Sequence, residues 1–281
     1  MKICKTISEL NIWRDSLSDQ NIGFVPTMGS LHQGHLSLVS HSKNVCKKTI
    51  VSIFVNELQF SPDEDFDQYP RSLDEDIKFL NQLKVDVVFL PTAEEIYSNK
   101  FSVVVNELNL SQKLEGNSRP GFFLGVTTIV SKLFNMVRPS HAFFGKKDIQ
   151  QLIIIKKLVQ DLNYNIKVIG CKTIREKSGL AMSSRNQYLS NTEKEEAAIL
   201  YQTLQLGLSL LNKNQGYLSI QKSMKDNIVS NPKIKFDYFS IAALNTLNEL
   251  KTNIKDHKAG IVISGAIFLN HIRLIDNILI E

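Results

Sequence analysis

Paired cysteines, long apolar runs and concentrated basic charge are missing from this 281-residue sequence, and each absence removes a class of protein. The three cysteines, Cys4, Cys46 and Cys171, lie far apart and form no CxxC pair, so neither a disulfide scaffold nor a zinc site is expected. The first residues, MKICKTISELNIWRDS, carry a charge every few positions and lack the apolar centre of a signal peptide. Apolar runs such as LIIIKKLV are cut by lysines well short of a membrane span. The 33 Lys and Arg are scattered among 28 acids, for a formal charge of +5. No stretch reads as a nucleic-acid arm, and the small basic excess favours small anionic substrates. Repeats and low-complexity tracts are also missing. The expectation is a reduced, soluble, cytoplasmic protein with neither nucleic acid nor membrane as a partner.

What is present is an alternation. From residue 21, short β-rich runs alternate with helical periodicity, as a parallel sheet with crossover helices requires. Strands are predicted at 21–25, 49–56, 85–90, 141–145 and 165–170, apolar on both faces and so suited to a covered sheet. Helices are predicted at about 34–47, 72–83, 125–137 and 148–162. In the third, Ile129, Val130, Leu133, Met136 and Val137 mark one apolar stripe. After residue 175 the rhythm changes to two polar helical stretches, about 191–213 and 216–230, followed by IKFDYFSIA, GIVISGAIFL and HIRLIDNILI as alternating strands. The fold class is therefore α/β, a Rossmann-like doubly wound parallel sheet with a smaller α+β C-terminal domain. Two domains are expected, 1–174 and 175–281, with the joint near 172–190.

The segment NIGFVPTMGSLHQGHLSLV runs from a strand through a glycine-bearing turn into a helix near Gly34. Such a turn is expected to leave unpaired backbone N–H groups at its mouth, where the helix dipole favours an anion. It is neither GxxxxGK[ST] nor GxGxxG. His32 and His35 are three apart across the helix start, close enough to face one pocket. Two capping or surface histidines are the bland alternative, and a zinc pair lacks its third ligand. At the carboxyl end of a leading parallel strand, ligand binding gains weight; imidazoles there suit a nucleotide α-phosphate.

Three further segments carry candidate chemistry. FFGKKDIQQ ends a strand and opens a helix, with Asp148 at the N-cap position and Lys147 as a point charge for polyphosphate; a capped helix with solvated lysines is the plain alternative. Gln59, after the second strand, can donate and accept at once, which suits a substrate bearing hydroxyl and carboxylate groups. AMSSRN combines Ser183, Ser184, Arg185 and main-chain donors, a set suited to leaving pyrophosphate. The acidic SPDEDFDQYPRSLDED, 61–76, reads as a solvated loop or a mobile cover over a site.

PTMGSLHQGH closely resembles the nucleotide-binding signature of the pantothenate synthetase (pantoate-beta-alanine ligase) family, HxGH enzymes of the nucleotidylyl-transferring superfamily. The segments at 51–76, 119–151 and 175–190 agree in order and spacing. The resemblance implies that ATP is held by Met28, Gly29, Ser30, Leu31, His32, Gln33, Gly34 and His35. It adds Gly145, Lys146, Lys147 and Asp148, then Ile174, Met182, Ser183, Ser184 and Arg185. It gives Gln59 and Gln151 to pantoate and Gln59 also to beta-alanine. It casts His35 as proton donor with His32 and Lys147 beside it, and it implies a homodimer. Mg2+ is expected to be held mainly by the ATP phosphates, with no protein metal site. Three positions depart from the family pattern: Glu57 for proline, Lys146 for glutamate and Phe122 for histidine. Glu57 bears on the loop before Gln59, Lys146 reverses a charge beside the ATP segment, and Phe122 removes a polar group.

The expected reaction is ATP-dependent condensation of (R)-pantoate with beta-alanine through a pantoyl-adenylate, releasing AMP and pyrophosphate, with the second domain closing over ATP. Two alternatives stand beside it: a nucleotidylyltransferase that stops at nucleotide transfer, and an inert nucleotide-binding regulator. Gln59 and Gln151 argue against the regulator.

Overall fold

The computed structural model describes every residue except 18–20, 62–63, 230, 253, 255–257 and 281. The chain forms two compact units: Met1–Ser111 with Arg119–Lys146 and Gln151–Lys172, and Gln112–Ser118 with Lys147–Gln150 and Thr173–Glu281.

In the first unit, β1 (Lys2–Cys4), β2 (Ile22–Thr27), β3 (Lys48–Ile53), β4 (Val87–Phe89), β5 (His141–Gly145) and β6 (Lys167–Cys171) form one sheet. Its order is β1-β4-β3-β2-β5-β6, and every pairing is parallel. Burial along nearly the whole of β2 and β3 is what an apolar strand covered on both faces requires. From β2 the chain turns outward to β3, while β5 pairs on the other flank of β2. The carboxyl ends of β2 and β5 therefore flank the topological switch point, where open α/β sheets bind ligands.

The helices up to residue 161 are, in chain order, α1 (Ile7–Asp15), α2 (Gln33–Val45), α3 (Leu73–Gln82), α4 (Ala93–Ile96), α5 (Glu115–Ser118), α6 (Phe122–Val137) and α7 (Ile149–Asp161), of which α5 and the first two residues of α7 belong to the second unit. Two elements precede residue 21 where sequence patterning placed none. In α1, Thr6 and Glu9 form a reciprocal capping box, and the buried Arg14 donates to the carbonyls of Val137 and Arg138. Those carbonyls lie at the end of α6, where the helix leaves acceptors unpaired. The single apolar stripe read for α6 is also corrected. The helix is buried at 12 of its 16 positions, because α1 and the turn after β3 cover it in addition to the sheet.

In the second unit, α8 (Asn191–Ala197), α9 (Ile199–Asn212) and α10 (Tyr217–Val229) accompany β7 (Ile234–Ala243), β8 (Ile261–Leu269) and β9 (Ile272–Ile280). The strands pair antiparallel in the order β7-β8-β9. The core joins Leu200 and Leu204 of α9, Ile220 and Met224 of α10, and Ile241, Ile263 and Ile267 of the sheet. The single helix read at 191–213 is two. Ala198 stays right-handed, but its N–H bonds to Glu195 O, three residues back, a tight turn that no glycine or proline announces. Of the helix read at 216–230, residue 230 lies outside the described residues. Among the described residues no helix is long and apolar enough to cross a membrane.

Candidate functional site

In the first unit, the signature turn leaves β2 at Thr27 and enters α2 at Gln33. Gly29 and Ser30 both adopt left-handed backbone, φ +82 and +51, a conformation that costs a non-glycine residue about 1 kcal/mol. The turn is held from below by a buried carboxylate. Asp76 of α3, 1% exposed, accepts from Ser30 N at 2.8 Å and Leu31 N at 2.7 Å. Burial raises the Asp76 carboxyl above its ordinary value, and the two N–H bonds pull the other way.

This arrangement corrects the expectation of unpaired N–H groups at the mouth. Gly29 N donates to Thr27 Oγ1, Ser30 N and Leu31 N to Asp76, His32 N to His35 Nδ1 and Gly34 N to His32 Nδ1. The polar groups that the turn presents are therefore largely side chains. The two histidines form the N-terminal cap of α2, each ring receiving a backbone N–H, with ring centroids 4.0 Å apart. Because Nδ1 of each ring accepts, the proton of each neutral imidazole is on Nε2. Capping thus fixes the tautomer and makes Nε2 a donor.

After β3, a 3-10 turn, Glu57–Gln59, carries Gln59. The buried Asn56 donates to Gln59 Oε1 at 3.0 Å and to Gly125 O at 3.1 Å. Gln59 Oε1 thus already accepts one bond from within the protein, and Nε2 is the group left without a protein partner among the described residues. Arg119 donates to the Gln59 carbonyl and, bidentate, to Glu64. Its guanidinium lies 3.7 Å from the centroid of the Phe122 ring. Phe122 is thus the surface on which Arg119 stacks. Glu57 is exposed.

The 61–76 segment is not a uniformly solvated acidic loop. Glu64 is paired with Arg119, Phe66 and Tyr69 pack on Phe60, and Asp76 is buried in α3. Residues 62–63 of that segment lie outside the described residues. The first unit also holds Met28, Gly145, Lys146 and the half-buried Gln151. The stem of Lys146 runs beside Gly170 of β6.

In the second unit, Lys147 and Asp148 follow β5 in a 3-10 turn. The Asp148 carboxylate lies 3.4 Å from Lys147 Nζ, and Lys147 O accepts from Asn277 Nδ2 at 2.6 Å. A hairpin spans 174–182: Met182 N donates to Ile174 O, Arg175 bridges Ala181, and Gly179 turns at φ +98. Arg175 chelates the buried Asp276 at 2.5 and 3.0 Å and lies over the Tyr201 ring. Strand β9 therefore anchors, through neighbouring Asp276 and Asn277, both the hairpin and the Lys147 turn. Two main-chain donors of AMSSRN bond within the segment: Arg185 N donates to Ser183 Oγ and Asn186 N to Ser183 O. Ser184 is 6% exposed.

Sequence reasoning did not single out Asp76, Asn56, Arg119 or Asn277. Asp76 had a signal, since it sits one helical turn before the buried Leu80 and so shares its inward face. Asn277 had none, because its partner is 130 residues away.

A family model described as pantoate-beta-alanine ligase matches residues 2–279. The chain is 43% identical to the pantothenate synthetase of Thermosipho africanus over 100% of both chains. It is 45% identical to that of Pseudothermotoga lettingae over 99% of this chain and 98% of the relative. It resembles the crystal structure of pantothenate synthetase from Thermus thermophilus, with TM-score 0.92, 38% identity and 99% of each chain covered. It also resembles pantoate-beta-alanine ligase from Francisella tularensis complexed with beta-gamma ATP and beta-alanine, with TM-score 0.82, 36% identity, and 99% and 97% covered. A switch-point strand ending in a two-histidine cap, with matches of this extent over the full chain, has one reading: the chain belongs to the pantoate-beta-alanine ligase family.

Proposed function

We propose that this protein joins (R)-pantoate to beta-alanine at the expense of ATP, giving pantothenate, AMP and pyrophosphate. The observation that carries the reading is the cap of α2, in which both imidazoles accept at Nδ1 and so offer Nε2–H as donors. A carboxylate is a poor acyl donor, since direct amide formation would expel oxide. Attack of a pantoate carboxylate oxygen on the α-phosphorus breaks the bond to the β-phosphate bridging oxygen and releases pyrophosphate. The amine of beta-alanine then attacks the acyl carbon, a proton leaves the nitrogen and AMP departs. No protein nucleophile takes part, so catalysis consists of positioning and charge stabilisation.

His32 and His35 are assigned to the α-phosphate oxygens, with His35 as the proton donor. Lys147, Ser183, Ser184 and Arg185 are assigned to the polyphosphate, and Gly145, Lys146, Asp148, Ile174 and Met182 to ATP. Met28, Gly29, Gln33 and Gly34 line the nucleotide's turn. Ser30 and Leu31 shape that turn through Asp76 rather than by donating to ATP. Gln59 donates to pantoate and borders the beta-alanine position, and Gln151 binds pantoate. Mg2+ is taken to accompany ATP, held mainly by the phosphate oxygens and water. A homodimer is the expected assembly, checked by sedimentation.

A coupled assay for AMP, with each substrate omitted in turn, tests the reaction. AMP is expected only with pantoate, beta-alanine, ATP and Mg2+ together, and pyrophosphate only when pantoate is present. Pyrophosphate released without pantoate, or no AMP with all substrates supplied, overturns the assignment.

A further inference from the structure

Asn56 is fully buried and every polar atom of its side chain is engaged. Its amide NH2 donates to Gln59 Oε1 and to Gly125 O, and its Oδ1 accepts from the Tyr97 hydroxyl at 2.7 Å. The Gly125 carbonyl can only accept, which sets the face the Asn56 amide turns to it. With that face set, Oδ1 needs a donor, and Tyr97 supplies it. Tyr97 packs on Phe54 and Phe101, and burial pushes its phenol up, so it stays a protonated donor at any working pH. Gly125 permits the arrangement: a methyl at that position would overlap the Leu58 carbonyl, so α6 comes close to the turn bearing Gln59 only with glycine there.

We propose that Tyr97 is a positioning residue for pantoate binding. It acts through Asn56 to hold the Gln59 carboxamide with its oxygen inward and its NH2 outward. The inference rests on the assignment of Gln59 to pantoate. The backbone of Gln59 is fixed in the same sense, its N–H bonded to Asn56 O and its carbonyl to Arg119. Its Nε2 has no partner among the described residues. What faces the ligand is therefore a donor, and the ligand group it selects is an oxygen with a free lone pair, a carboxylate or a hydroxyl accepting. An ammonium or amide NH2 in that place meets a second donor and is rejected.

The test is a double-mutant cycle on steady-state kinetics with Tyr97→Phe, Gln59→Ala and the pair. Tyr97→Phe keeps the ring packing and removes one donor to a buried carbonyl. The expected result is a pantoate KM raised about tenfold, the scale of one or two neutral hydrogen bonds, with kcat and the ATP KM within about twofold of wild type. On the Gln59→Ala background the same change is expected to add nothing, since residues acting in one chain are not additive. If Gln59→Ala raises the pantoate KM and Tyr97→Phe does not, or if the two effects add in full, the relay is wrong while the pantoate reading stands. If Gln59→Ala leaves the pantoate KM unchanged, both fall. Asn56→Ala breaks the relay without touching the aromatic packing; should Tyr97→Phe fail to fold, it runs the same cycle under the same outcomes.

Discussion

Removal of the Asp76 carboxylate probes the support beneath the signature turn. Asp76→Ala leaves the N–H groups of Ser30 and Leu31 without their acceptor, and these residues are 0% and 6% exposed. An orphaned buried donor costs about 1–3 kcal/mol, so two cost roughly 2–6 kcal/mol. Relief of a buried charge works in the opposite direction, which selects the lower end of that range, about 2–3 kcal/mol. For a unit of this size that is a fall in Tm of about 5–10 °C. The turn would also lose the bonds that hold Ser30 in a left-handed conformation, and the histidine cap that follows would lose its placement. Pantoate-dependent pyrophosphate release is therefore expected to fall by at least about tenfold, the scale of a misplaced donor. Asp76→Asn retains one acceptor but turns an NH2 against the second N–H, so an intermediate loss of stability is expected. A sign can be assigned in acid as well. Burial raises the carboxyl in the folded protein, so the unfolded chain ionises first as the pH rises. The contribution of this group to stability is thus full below the ordinary Asp value and declines as the pH climbs through the raised one. Asp76→Asn does not titrate and should lack that decline. An Asp76→Ala protein with wild-type melting, or one that melts early yet releases pyrophosphate at the wild-type rate, would refute the idea that this carboxylate sets the site.

Other perturbations follow the same reasoning. His35→Ala removes both the Nε2–H donor and the acceptor for His32 N, and turnover should drop at least about tenfold; unchanged turnover would leave His35 a cap and nothing more. Arg175→Met strands the carboxylate of Asp276, 4% exposed, and should cost about 3 kcal/mol, read as a lower denaturant midpoint with a raised ATP KM. A loss of stability with an unaltered ATP KM would separate the β9 anchor from nucleotide binding. Gly125→Ala would push α6 off the Leu58 carbonyl and is expected to raise the pantoate KM more than the ATP KM, with equal changes counting against a local effect. Cys171, whose thiol burial pushes up to about 11, should react with an alkylating reagent only after unfolding; rapid labelling of the native protein would contradict its burial.

How much of this could be read from the chain depends on the range of each interaction. The parallel sheet was legible because β2, β3 and β5 are apolar on both faces, a local pattern that any covered strand must show. The pairing of His32 with His35 was legible because it spans one helical turn. The N-terminal helix was missed although TISE holds its capping box at residues 6–9; scattered charges hide its inward face, and its decisive buried group is an arginine. The pairing of the turn's N–H groups was illegible for a related reason. Local geometry predicts how many N–H groups a tight turn leaves unpaired, but not whether a carboxylate arrives from elsewhere, and here one does, from 45 residues along the chain. With those N–H groups taken, the negative end of Asp76 sits under the turn and the imidazoles become its outward donors. The cap therefore does two things with one pair of rings: the Nδ1 atoms end the helix, and by doing so they fix the Nε2 protons on which the proposed chemistry relies. Replacement by another good capping residue, as in His32→Ser, is then expected to preserve the helix and lose the reaction, because the cap is satisfied by an oxygen that cannot reach the phosphate.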